Sequence, residues 1–267
     1  MNRSFKYANS SQQSLLKRNG KHNFAMGHAL RIYQTNAIYS FIPKNACSTL
    51  RLSLAIANGC IQKAKEFNWI HHNNDTFSAD LASAQTAAYT FVVLRCPYAR
   101  LASAYLDKIV GHYPDAWQLY DLTQRRREVS TMTFEFFIRQ LRQKNIREAN
   151  IHWRPQVDFL LYNHYDDYFC LEDFANVPDL LQQKIQLSIV DARPLTRHGL
   201  SEFAQLGTQG EYARHSTLQI MCLKQAGQCP SPLSLYTDEL AAIVKTHYND
   251  DIALYQSLFG AEKLMFF

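Results

Sequence analysis

Twice in this chain a short apolar run turns directly into a helix-periodic segment, and that switch constrains the fold more than any other feature. AIYSFI (37–42) reads as a buried parallel strand. After the loop PKNACST, Leu50, Leu54 and Ala57 recur at helical spacing, and Gly59 offers a C-terminal stop. TFVVL (90–94) is a β-branched strand, and Pro97 suits the first turn of the helix that follows. Tyr98, Leu101, Ala102, Tyr105, Leu106 and Ile109 make its apolar stripe, which puts Arg100, Ser103 and Asp107 on an opposite, polar face. Strand-to-helix alternation predicts an α/β domain with a central, mainly parallel sheet flanked by helices. In such sheets ligands gather beyond the carboxyl ends of the strands, where both corners begin.

The remaining elements follow the same reading. TFEFFIRQLRQ (133–143) is an amphipathic helix, and YDDYFCLEDF (165–174) is a strand passing through a loop into a helix. Residues 234–260 are helical, with Thr237 as N-cap and acids in the first turn. The mixed stretch 191–235 carries no clear period. The polar residues 1–30 are expected as a loosely held arm before a single domain over 31–267. With 267 residues, 47% of them hydrophobic, the chain can bury a sizeable core. The net charge of +5 favours an anionic ligand but is too mild to call for nucleic acid. The six cysteines show no CxxC pair, so neither a zinc site nor a disulfide framework is expected, and a reducing compartment fits best. No run of 18 apolar residues and no signal peptide is present, which suggests the cytoplasm.

Both corners suit anions. A helix N-terminus presents free N–H groups and partial positive charge; Ser48 and Thr49 add hydroxyl donors, and Lys44 adds a mobile charge. The loop alone is read equally well as Ser48 capping the helix with Lys44 in solvent. It is not a nucleoside-triphosphate P-loop, because glycine is absent and Lys44 precedes Ser48 by four positions. At the second corner, Arg95 and Ser103 could grip one phosphate between a guanidinium and a hydroxyl.

IPKNACSTL resembles the 5′-phosphosulfate loop of the carbohydrate sulfotransferases, and LRCPYARLASAYLDKI resembles their 3′-phosphate motif, RDPxxRLxSAYxDK. NIHWRPQVDFL (150–160) is similar to the family's HWxPQ segment, and HYNDDIALYQSLFG to its closing Y-x-x-D helix. The matches run in order from about 40 to 260. The resemblance covers the branch with chondroitin, dermatan and HNK-1 sulfotransferases and the heparan sulfate 2-O-sulfotransferases. One position departs: Cys96 stands where the family has Asp after the motif arginine.

The resemblance implies a P-loop-like sulfotransferase fold and 3′-phosphoadenosine 5′-phosphosulfate (PAPS) as donor. Pro43, Lys44, Asn45, Ala46, Cys47, Ser48 and Thr49 would wrap the 5′-phosphosulfate, and Arg95 and Ser103 the 3′-phosphate. Lys44 would stabilise charge on the leaving oxygen during in-line attack by a sugar hydroxyl. His71 or His72 in NWIHHNND competes evenly with His152 of HWRP as the base, and an Asp or Glu holds a smaller share. No metal is implied. The acceptor would be a carbohydrate: a capsule, lipopolysaccharide or other glycan precursor in a bacterial cytoplasm rather than a Golgi lumen. Arg125, Arg126 and Arg127, with Arg139, Arg142, Lys144 and Arg147, could face an acidic polysaccharide or glycolipid, although a charge run more often is a solvated face. Arg197 and His198 are candidates to close over the nucleotide. The alternatives are a P-loop-like nucleotide kinase and a non-catalytic module binding desulfated donor (PAP) or glycan.

Overall fold

The computed structural model describes residues 3–12, 14–195 and 202–267. The chain gathers into two compact units, Met1–Arg95 with Gln156–Arg197, and Cys96–Pro155 with His198–Phe267.

The first unit is built on a four-stranded sheet of β1 (Ala29–Ile32), β2 (Ala37–Ser40), β3 (Tyr89–Leu94) and β4 (Asp167–Cys170), in that spatial order. β1 pairs antiparallel with β2, while β2–β3 and β3–β4 are parallel, so the sheet is mainly parallel as expected. Ala37 aligns with Tyr89 and Ser40 with Val92; β3 runs on to Leu94, and both strands finish at the same end of the sheet. The loop after β2 and the residue after β3 therefore leave the sheet at one end. Tyr39, Phe91, Val93 and Phe169 point to one face and form a core with Leu50 and Leu54 of the helix Cys47–Ala57 and Leu181 and Ile185 of the helix Val177–Ile185. Tyr39 stacks on Phe91 at 5.0 Å, and Phe169 meets Phe91 edge-on at 6.0 Å.

The N-terminal segment is not a loose arm. Phe5 is buried against Tyr162, Lys6 N–H donates to Leu161 O at 2.9 Å, and Arg3 pairs with Asp166 at 2.8 Å. Its polar composition hid this, because one aromatic, one backbone hydrogen bond and one ion pair leave no apolar pattern in the sequence. β1 was also hidden: ALRI is too short to stand out from its surroundings.

The second unit has an aromatic core. Phe134 meets Tyr105 at 5.2 Å and Tyr236 at 4.8 Å, and Phe137 packs edge-on against Trp153 at 5.6 Å. The helix Pro97–Ala104 starts at its proline and runs into a widened turn, Tyr105–Ile109, where Val110 N–H reaches back five residues to Tyr105 O. The expected polar face of this helix is buried: Arg100, Ser103 and Asp107 are all less than a tenth exposed. Arg100 is sequestered because its guanidinium donates to the carbonyls of Arg154 (2.7 Å) and Ile151 (3.0 Å), which satisfies a buried charge that the helical period alone assigns to solvent. The single helix expected over 234–260 is two, Asp238–His247 and Asn249–Phe259, broken at Tyr248, whose hydroxyl donates to Trp153 O at 2.7 Å. Thr237 caps the first, accepting from Leu240 N–H. The stretch without clear period contains β5 (Ala204–Leu206) and β6 (Gln228–Pro230), a parallel pair, and the helix Thr217–Gln225 between them. Among the described residues no helix is long and apolar enough to cross a membrane.

Candidate active site

β2 delivers its chain to the helix Cys47–Ala57 through a loop that contains no glycine yet bends as glycine does. Lys44 and Ala46 take φ of +73° and +55°, and Asn45 between them does not enter that region. Left-handed backbone at a residue with a Cβ costs about 1–2 kcal/mol, so the surroundings must impose it. Alternating handedness of this kind shapes a concavity, a nest; Asn45 N–H is engaged with Ile42 O at 3.2 Å, so the N–H groups the bend offers an anion are those entering the helix. Ala46 is the helix N-cap and supplies no side-chain hydrogen bond, so the first-turn N–H groups are not capped by the protein's own side chain. Ser48 therefore lies inside the first turn and is not the cap.

Three side chains impose the bend. Asn45 is fully buried, and its Nδ2 donates to Val93 O (2.9 Å) and to Gln156 Oε1 (2.6 Å). Gln156, also buried, uses both ends of its amide on the Arg95 backbone: Nε2 donates to Arg95 O at 2.8 Å, and Oε1 accepts from Arg95 N–H at 3.1 Å. Arg95 closes the ring, its Nη1 donating to the carbonyl of the left-handed Lys44 at 3.1 Å. The 43–49 loop and Arg95 are thus brought together within the first unit. Pro43 is buried, and Lys44, Ala46, Cys47, Ser48 and Thr49 are half-buried. Thr49 Oγ1 accepts from Ala192 N–H at 3.2 Å, which leaves its own proton for donation.

The histidine candidates differ in their surroundings. His71 and His72 are exposed in the first unit; the Phe67 ring meets His71 edge-on at 5.0 Å, and Arg51 of the Cys47 helix donates to Ile70 O just before them. His152, in the second unit, is largely buried and sits 2.6 Å through Nδ1 from Asp115 Oδ1. Asn150 orders the pair: its Oδ1 accepts from His152 N–H (2.8 Å), and its Nδ2 donates to Asp115 Oδ1 (2.8 Å) and Gln118 Oε1 (2.7 Å). Burial pushes the Asp115 carboxyl up, but the hydrogen bond and charge of His152, the Asn150 amide and the Lys108 charge together bring it down to about 2. An ionised Asp115 can only accept, so Nδ1 carries the proton of this hydrogen bond.

Ser103 lies in the second unit, 8% exposed. Cys96 is buried and its sulfur accepts from Met265 N–H at 3.4 Å, so it packs as a small apolar residue. Much of the basic stretch is engaged internally. Arg125 pairs with Asp121, Arg127 bonds Thr133 and lies over Phe136, Arg139 pairs with Glu135 and Glu239, and Arg147 donates to Leu141 O and Arg142 O. Arg197 and His198 lie outside the described residues. Sequence reasoning gave no role to Asn45's side chain, Gln156, Asp115 or Asn150. Gln156 stood in the quoted PQ pair; Asp115, just after Pro114 at a helix start, carried no signal linking it to His152.

The model of the family described as "Sulfotransferase family" matches residues 28–256. Carbohydrate sulfotransferase 14 of Mus musculus is 27% identical over 177 residues, which covers 59% of this chain and 47% of the mouse protein. The chain thus aligns with about half the length of that relative. No solved structure matches. With the strand–loop–helix corner, Arg95 and the first three motifs inside the matched span, the chain belongs to the sulfotransferase family.

Proposed function

We propose that the protein is a PAPS-dependent carbohydrate O-sulfotransferase whose first unit is a P-loop-like donor site. The observation that supports this most is the glycine-free nest at Lys44–Ala46, bonded directly to Arg95. PAPS carries anionic groups at both its 5′ and 3′ positions, and the residues fit them: a nest and an uncapped helix end for one, a guanidinium beside them for the other. Pro43 to Thr49 hold the 5′ end and Arg95 the 3′-phosphate; Ser103 is assigned to the 3′-phosphate by the motif resemblance alone.

PAPS supplies the sulfuryl group, whose bond to the 5′-phosphate oxygen breaks as the acceptor oxygen attacks in line. Lys44 meets the negative charge that grows on the departing oxygen, and the N–H groups at the helix start share it. A base must take the acceptor hydroxyl's proton; His152 is assigned that role because Asp115 would stabilise the resulting imidazolium. The Asp115 carboxylate is the observation that favours His152. The name of the mouse relative supports a carbohydrate acceptor, and six free cysteines suit a reducing compartment such as the cytoplasm.

The test is release of PAP from PAPS with a panel of neutral and acidic glycans. The expected result is glycan-dependent release, lost in Lys44→Ala. PAP binding without turnover on any glycan would instead support a binding module, and equal use of ATP would support a kinase.

A further inference from the structure

The amide of Gln156 joins the two anion-holding parts of the donor site without facing the donor through its own polar atoms. Oε1 accepts from Arg95 N–H at 3.1 Å and from Asn45 Nδ2 at 2.6 Å, and Nε2 donates to Arg95 O at 2.8 Å. All of its hydrogen-bonding atoms are thereby engaged, and the side chain is 2% exposed. Asn45 sits between the two left-handed residues and is tied also to Val93 O, at the end of β3. The Arg95 side chain in turn holds the Lys44 carbonyl. The bonds therefore form a closed circuit: Gln156 to Asn45, Asn45 through the backbone to Lys44, Lys44 to Arg95, and Arg95 back to Gln156. A circuit of this kind has one geometry, so the nest cannot open or Arg95 swing away independently of the other.

We propose that Gln156, together with Asn45, is a positioning clasp that fixes the separation between the 43–49 nest and Arg95, and so sets the preference for a nucleotide phosphorylated at both the 5′ and 3′ positions. This rests on the donor reading above. With the clasp intact, a ligand bearing both phosphates meets two sites already at the right spacing. With the clasp cut, each phosphate can still find its own site, but holding both at once no longer comes preorganised. The clasp therefore acts on the ratio of affinities for PAP and adenosine 5′-monophosphate (AMP) more than on the affinity for either group alone. A residue that merely stabilised the unit would weaken both ligands alike.

The experiment is calorimetric titration of the full chain with PAP and with AMP, in wild type, Gln156→Met and Gln156→Glu. The methionine variant keeps the volume and removes every hydrogen bond. The glutamate variant keeps both acceptor bonds, replaces the donation to Arg95 O by an oxygen–oxygen repulsion, and guards against a methionine variant that does not fold. The expected result is a wild-type preference for PAP over AMP of at least 100-fold, reduced by 10-fold or more in a folded variant, with AMP affinity within about 3-fold of wild type in Gln156→Met. An unchanged PAP/AMP ratio in either folded variant overturns the clasp while leaving the donor reading intact. Equal weakening of both ligands also overturns it and makes Gln156 a structural residue only. A wild type that binds PAP no better than AMP overturns the donor reading and the clasp together.

Discussion

Asn45 and Gln156, 111 positions apart, share a buried amide–amide hydrogen bond of 2.6 Å that ties the loop after β2 to the residue after β3. The bond explains how a loop without glycine holds two left-handed residues. The conformational cost at Lys44 and Ala46 is offset by the hydrogen bonds that Asn45, Gln156 and Arg95 make around the loop.

That cost is measurable. Ala46→Gly removes the Cβ clash at φ +55° but adds chain freedom in the unfolded state. The expected net effect is neutral to stabilising, by up to about 1 kcal/mol in chemical denaturation. Ala46→Val, β-branched at the same φ, is expected to destabilise by about 1–2 kcal/mol and to weaken PAP binding.

Asp115 gives the reaction a pH signature. Asp115→Asn removes the carboxylate that favours a protonated His152. The acid limb of kcat is expected to move to lower pH, with kcat at its plateau reduced at least about tenfold and KM for PAPS little changed. A pH–rate profile that keeps its acid limb would return the base to His71 or His72.

The same carboxyl links stability to acid. Its folded value of about 2 lies below the ordinary 3.8, so its contribution is fully present above pH 4 and is lost as pH falls through 2. The shift corresponds to about 2 kcal/mol. Acid unfolding of wild type is expected to be steeper than that of Asp115→Asn between pH 4 and pH 2, read by far-UV circular dichroism.

Gly111 closes the widened turn of the second unit. A Cβ there would lie 2.4 Å from Asp107 O and 2.7 Å from the Tyr113 ring. Gly111→Ala is expected to destabilise by about 2 kcal/mol and lower Tm by about 5 °C, with the Tyr113 ring displaced.

The parallel core and both corners were legible because local pattern decides them. TFVVL can only be a buried strand here, and Pro97 marks the helix start. What stayed hidden depends on partners distant in sequence. Arg100 takes a polar slot on its helix by period, yet carbonyls fifty residues on satisfy it inside. Asp115 meets His152 across 37 positions, and no local signal joins them. Phe5 and ALRI were too short to rise above a polar background. The loop after β2 was singled out by its residue types, but its shape was not legible, since nothing local predicts left-handed backbone at Lys44 and Ala46.

The most direct measurement is thermal stabilisation by PAP, ADP and ATP, in wild type and in Arg95→Ala. The account predicts a shift of several degrees with PAP alone, lost in Arg95→Ala. A shift with ADP or ATP equal to that with PAP, or one that survives Arg95→Ala unchanged, would contradict it.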